Sequence, residues 1–232
     1  MLTVSKPGYN SDTKKMSDNL CTMNNKIRIA VLVSGGGTNL QALLDAQNNG
    51  KLKSGRIAHV ISSSAGAYAI IRASNEGIPY TVIDRKKYDT QLEFEEKIKA
   101  ALMENNIQLI VLAGFMNIFS INFTSQYPRR IINVHPSLIP SFCGKGFYGL
   151  KVHEAVINYG VRVTGATVHY VNEIPDGGEI ILQKPVAVRK SDTPESLQRR
   201  VMEQAEWKIL PKAVEMVAKK MLDTKEKSNE YI

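Results

Sequence analysis

The sequence predicts an α/β fold: a single doubly wound, mostly parallel sheet with an antiparallel extension near the C-terminal end. Three observations carry that expectation. Apolar runs alternate with helical patterns through residues 27–158, the first run opens directly into a glycine loop and a helix, and two extended runs meet across a turn at 175–178. Residues 27–33 read as a compact apolar strand leading into Ser34-Gly35-Gly36-Gly37-Thr38-Asn39 and a helix patterned by Leu40, Leu43 and Leu44. The next units pair a strand at 57–61 with a helix at 68–75, a strand at 79–83 with a helix at 90–104, and a strand at 109–113 with a short helix after Phe115. A strand then ends at His135, because Pro136 lacks an amide proton and disfavours a helical conformation at the residue before it. A Gly-rich loop at 141–149, a helix at 152–158 and strands at 161–171 and 179–188 follow. A helix over 194–221, expected to break near Pro211, closes the fold.

A chain of 232 residues buries one sizeable core without disulfide staples, and two domains would be cramped. The expected organisation is a polar leader over 1–25, one catalytic domain over 26–222 and a charged tail over 223–232. The leader has no apolar stretch suited to a secretory signal or a membrane span, and Met16 or Met23 offers an alternative start. Cys21 and Cys143 show no spacing of a zinc site or disulfide framework, so no metal is expected and a reducing, cytoplasmic setting fits. A net charge of +8 favours phosphate-bearing ligands or nucleic acid. The basic residues are scattered, however, and no segment supplies the basic stripe with stacking aromatics that nucleic-acid recognition requires. Small molecules, rather than nucleic acid or membrane, are the expected partners.

Side chains alternate along a strand, so in Ile131-Ile132-Asn133-Val134-His135-Pro136 the side chains of Asn133 and His135 project to the same side. They stand at the carboxyl end of the strand, where open α/β sheets place their binding sites. Downstream, Pro175-Asp176-Gly177-Gly178 offers a carboxylate. An amide, an imidazole and a carboxylate are the parts of an acyl-transfer centre that needs no metal. A carbonyl carbon attacked by an amine passes through a tetrahedral intermediate, whose oxyanion an amide NH2 and an imidazolium stabilise. An imidazole with an ordinary pKa of about 6.5 keeps its proton near pH 7 only beside an anion, and Asp176 is assigned that part. Plainer readings stand alongside: Asn and His at a strand end can cap a turn, and Asp before Gly-Gly is a common hairpin residue. Cys143 is a candidate nucleophile by proximity, but nothing marks a dedicated base for it.

Glycines let the loop at 34–39 turn tightly, and the amides at the start of the following helix form a ready phosphate cradle. The loop lacks the Gly-x-Gly-x-x-Gly spacing of dinucleotide binders and the Gly-Lys-Thr ending of nucleoside triphosphate binders. A terminal monophosphate held by Gly37, Thr38 and Asn39 is one reading, and a helix cap by Thr or Asn is the other.

Four segments occur in one order between about residues 27 and 221: 33–42, 112–116 (Leu-Ala-Gly-Phe-Met), 133–138 (Asn-Val-His-Pro-Ser-Leu) and Asp176-Gly177-Gly178. Together they resemble the phosphoribosylglycinamide formyltransferases, folate-dependent enzymes of purine biosynthesis. The resemblance implies transfer of a formyl group from 10-formyltetrahydrofolate to the amine of glycinamide ribonucleotide, catalysed by Asn133, His135 and Asp176, with Asp176 holding up the pKa of His135. It implies that Gly37, Thr38 and Asn39 bind the ribose phosphate and that Glu206, in Glu206-Trp207-Lys208-Ile209-Leu210-Pro211, contacts the ribose hydroxyls rather than the phosphate. It further implies a reduced-folate pocket from Met116, Asn117, Ile118, Phe119, Asn133, Asn172, Glu173, Ile174, Pro175 and Asp176. There Met116, Ile118 and Phe119 would be apolar walls for a flat pterin, and Arg85 would stand near the folate's glutamate tail. Ordinary core for those three and a surface charge for Arg85 are the alternatives. The chain departs from the family pattern at Asn117, where many members carry Arg, at Trp207 in place of His, and at Glu203, where a neutral or basic residue is expected.

Three rivals are weighed beside this reading. A 10-formyltetrahydrofolate hydrolase uses a similar centre with water as acceptor, but carries a regulatory domain for which residues 1–25 are expected to be too short. A methionyl-tRNA formyltransferase would need a nucleic-acid-binding domain after residue 232. A non-catalytic nucleotide-binding module would bind a phosphorylated regulator at the glycine loop without turnover.

Overall fold

The computed structural model describes residues 25–229, so the expectations for Met16, Cys21, Met23 and all the leader before Asn25, and for the last three residues of the tail, lie outside the described residues. The chain runs β1 (Ile27–Val33), α1 (Thr38–Asn48), β2 (Gly55–Ser62), α2 (Ala69–Asn75), β3 (Tyr80–Val82), a single 3-10 turn (Arg85–Lys87) and α3 (Gln91–Glu104). It continues with β4 (Leu109–Leu112), α4 (Ile121–Thr124), β5 (Ile131–His135), α5 (Leu150–Tyr159), β6 (Val163–Tyr170), β7 (Ile180–Ala187) and α6 (Pro194–Val201). A π-helical turn (Met202–Glu206) then leads into α7 (Trp207–Asn229). The strands form one seven-stranded sheet in the order β3-β2-β1-β4-β5-β6-β7. The pairs from β3 to β5 are parallel, while β5–β6 and β6–β7 are antiparallel, as the sequence predicts.

Alternation along β1 builds the two layers. Ile27, Ile29, Val31 and Val33 join Leu40, Leu43 and Leu44 of α1 and Leu210, Val214 and Val217 of α7 on one face. Ala30 and Leu32 point the other way, into a layer made with Phe94, Ile98 and Leu102 of α3 and with Phe119 and Phe123. Each large apolar side chain so buried contributes about 1.5–3 kcal/mol, and together they fix the sheet's position between its helices. Helix starts follow their sequence signals. Thr90 accepts the Glu93 amide while the Glu93 carboxylate accepts the Thr90 amide, and Thr193 forms the equivalent box with Ser196 ahead of α6.

The structure corrects one boundary. No break occurs at Pro211, which lies inside α7, one turn from its start. The interruption comes earlier, at the π turn 202–206. Pro211, the fifth residue of α7, lacks one amide donor without ending the helix, whereas a wide i→i+5 turn re-aims the residues that follow it. The helix also continues past Met221 to Asn229, taking in much of the tail. Among the described residues, no helix is long and apolar enough to cross a membrane.

Candidate active site

β5 ends at His135, and its register against β6 sets Asn133 opposite His169. Asn133 and His135 line the same cavity, of about 680 Å³, at the carboxyl end of β4 and β5. After Tyr170 the chain folds back so that Asp176 reaches this cavity as well. Its carboxylate lies between two imidazoles: Oδ2 is 3.4 Å from His135 Nδ1, and Oδ1 is 3.6 Å from His169 Nε2. The Gly144 amide donates to Oδ2 at 2.9 Å, tying the 141–149 loop to the carboxylate.

The Asp-Gly-Gly run has a steric reason. Asp176 sits in the left-handed region at φ 57°, which Asp tolerates better than most residues. A Cβ at Gly178 would lie 1.7 Å from the Tyr170 carbonyl oxygen, and one at Gly177 2.6 Å from Ile174. Only glycines let the chain pass so close behind Asp176.

Both nitrogens of His135 face acceptors: Nε2 donates to the Phe142 carbonyl at 2.9 Å and Nδ1 faces Asp176. A neutral imidazole carries one N–H, so it can satisfy one of them. Burial nevertheless pushes His135 below the usual imidazole range, outweighing the pull of Asp176 and the Phe142 carbonyl toward the charged form. The sequence expectation of a pKa held up overall is therefore corrected: Asp176 raises it, and burial lowers it further. For Asp176 burial acts upward, but the His169 hydrogen bond, the His135 charge and the Gly144 amide together bring the carboxyl below its ordinary value. It is an anion at neutral pH.

His169 is the member of this group that sequence reasoning missed. Its Nδ1 lies 2.8 Å from the Tyr170 carbonyl oxygen, and its Nε2 faces both the Asn133 amide at 3.3 Å and Asp176 Oδ1 at 3.6 Å, so it links the two. The ladder shifts register between Val168 and His169, a bulge of the kind that re-aims side chains near sites. The signal available in sequence was a His seven residues before Asp176, within the strand expected over 161–171.

The other predicted residues divide. Met116 and Ile118 stand 54 % and 62 % exposed on the cavity wall, with Asn117, Asn172, Ile174 and Pro175 also lining it. Phe119 touches the cavity but is mainly core, stacked on Phe123 with centroids 4.0 Å apart and on Phe115 behind the wall. Glu173 is exposed and off the lining. Arg85 is off it too: its guanidinium donates to the Tyr88 carbonyl and lies over the Phe94 ring. Cys143 points its thiol at the Pro140 carbonyl, and burial and Asp176 push its pKa up, away from a reactive thiolate. Among the described residues, no group of three His, Cys, Asp or Glu side chains is placed to hold a metal ion.

At the glycine loop, Gly37 takes φ 71°, and no side chain caps α1, so Thr38 and Asn39 are not its caps. The Gly35 carbonyl accepts the Ala69 amide and the Gly36 carbonyl accepts Arg72 Nε, which turns the loop's carbonyls back toward α2. The Asn39 side chain is not free for a phosphate: it is buried and donates to Glu206 Oε2 at 2.6 Å. The π turn is what brings Glu206 inward to meet it.

Burial pushes the Glu206 carboxyl up to about 7, against the opposing effect of Asn39. The folded value exceeds the ordinary 4.5, so the associated stability is fully present below that value and is lost as pH rises through about 7. The melting temperature of the wild type should fall by several degrees between about pH 5 and pH 8 relative to Glu206→Gln. A gap between the two proteins that stays constant across this window would contradict the assignment.

Comparison with known proteins decides the family. Residues 27–214 match the Formyl transferase family. The chain belongs to that family. It is 41 % identical over 184 residues to phosphoribosylglycinamide formyltransferase of Haemophilus influenzae, covering 79 % of this chain and 84 % of that protein. It is 43 % identical over 194 residues to the trifunctional purine biosynthetic protein adenosine-3 of Gallus gallus, covering 84 % of this chain but 19 % of that one. The chain thus spans about a fifth of the length of this trifunctional relative. Among solved structures, glycinamide ribonucleotide transformylase 1 from Symbiobacterium toebii superposes with a TM-score of 0.78 at 39 % identity, covering 84 % of this chain and 89 % of that one. The formyltransferase fold therefore accounts for nearly all of the sheet and both helical layers described above.

Proposed function

We propose that this formyltransferase moves the formyl group of 10-formyltetrahydrofolate to the amine of glycinamide ribonucleotide. The observation that carries the reading is the meeting of Asn133, His135 and the Asp176 anion at one cavity with an apolar wall, in a chain whose relatives bear that enzyme's name.

The amine attacks the formyl carbon, and the carbonyl π pair moves to oxygen. Asn133 Nδ2 and the His135 imidazolium donate to that oxyanion. Nδ1 faces Asp176, so Nε2–H is the donor, and the Phe142 carbonyl gives way to the formyl oxygen. Asp176 opposes part of the burial penalty on the imidazolium. Collapse of the intermediate breaks the bond from carbon to the folate nitrogen, while the proton lost by the attacking amine passes to that nitrogen. The ribose phosphate sits on the backbone amides of Gly37, Thr38 and Asn39, and Glu206 serves the ribose hydroxyls. Met116 and Ile118 pack on the pterin.

The test is deformylation of 10-formyltetrahydrofolate with and without glycinamide ribonucleotide. Turnover should require the ribonucleotide and yield one formylated product per folate consumed. Equal turnover without it would indicate a hydrolase, and binding without turnover a regulatory module.

A further inference from the structure

Glu95 is a buried carboxylate for which formyl transfer has no use. It lies on α3, 2 % exposed, and does not line the reaction cavity. Its Oε1 accepts the Ser120 amide at 2.6 Å and Gln91 Nε2 at 2.7 Å, and its Oε2 accepts the Ser120 hydroxyl at 2.5 Å. Gln91, one turn earlier on the same helix, also donates Nε2 to the Ile118 carbonyl at 2.9 Å.

The segment these bonds hold is the exposed apolar wall of the cavity. Met116 to Phe119 belong to neither helix nor strand, so no regular ladder sets their position. Side chains do so instead: Ser34 accepts the Met116 amide at 3.0 Å at one end, and the Gln91–Glu95 pair holds Ile118 and Ser120 at the other. A buried carboxylate costs free energy that an apolar residue of like volume would not. Its two short bonds to Ser120, at the end of that loop, tie the cost to the loop's position. The aromatic stack Phe115–Phe119–Phe123 packs the same segment from its core side.

We propose that Glu95, with Gln91 as its arm, is a positioning residue for the pterin, fixing the wall at 116–120 against which the reduced folate packs. This rests on the folate reading above. The test is steady-state kinetics on both substrates, with melting temperatures, for the wild type, Glu95→Ala, Glu95→Gln and Gln91→Ala. Glu95→Ala should raise the folate KM about tenfold or more while the ribonucleotide KM stays within about twofold. Glu95→Gln keeps an acceptor for the Ser120 amide and gains an NH2 for its hydroxyl, so it should recover most of that loss. Gln91→Ala removes the Ile118 tie and the Gln91–Glu95 bond but leaves both Ser120 bonds to Glu95, and should raise the folate KM about threefold with little change in melting temperature. Should Glu95→Ala fail to fold, Gln91→Ala decides. An unmoved folate KM, or two KM values rising together, overturns the proposal while a transferring wild type upholds the functional reading. A wild type that transfers no formyl group overturns both.

Discussion

Asp176→Asn should fold and bind both substrates nearly as well as the wild type while kcat falls by about a thousandfold. The substitution keeps the size of the side chain and leaves an oxygen to accept the Gly144 amide. It removes the anion, and with it the one nearby charge that favours the His135 imidazolium against burial. The sign follows directly: His135 already lies below its ordinary value, Asp176 acts upward, and its loss moves the imidazole lower still. The imidazolium that serves the oxyanion as its charged donor, already disfavoured by burial, then becomes scarcer still at pH 7. Stopped-flow measurement of formyl transfer checks the rate, and an NMR titration of the His135 ring should show its midpoint moving to lower pH. Near-normal kcat, or an unmoved midpoint, would reject the role given to Asp176.

Asn133→Leu carries the second large effect. Leucine nearly matches asparagine in shape but cannot donate, so the developing oxyanion loses one of two donors, a loss worth about a hundred- to a thousandfold in kcat. His169 Nε2 loses its contact with Asn133 at the same time. Because the Asn133 amide acts on the transition state, KM for the ribonucleotide should change little. Steady-state kinetics at saturating folate separates the two parameters. A variant that raises KM and spares kcat would make Asn133 a ground-state contact.

What could be seen in the sequence and what could not divide along physical lines. β1, the glycine loop and α1 were legible because a continuous apolar run, a glycine cluster and a helical Leu pattern are all local. The end of β5 was legible because Pro136 enforces it, and Asp176 because Gly177 and Gly178 flag a place where only bare backbone fits. His169 was not, since within β6 it reads as one more strand residue, and its tie to Asn133 depends on pairing across 36 residues. The Asn39–Glu206 bond spans 167 residues and depends on a π turn, which leaves no period in the sequence. The net direction of the His135 shift needed burial, which the neighbouring residues alone do not reveal. Arg85 looked like a tail contact, yet the 3-10 turn folds its guanidinium onto Tyr88 and Phe94.

The most direct test of the central claim is a crystal structure with a bisubstrate adduct whose tetrahedral carbon imitates the attacked formyl group. The account expects the adduct oxygen within about 2.7–3.1 Å of both Asn133 Nδ2 and a His135 ring nitrogen, with Asp176 still beside that ring. An adduct oxygen directed away from both donors, or an Asp176 carboxylate withdrawn from the imidazole, would contradict it.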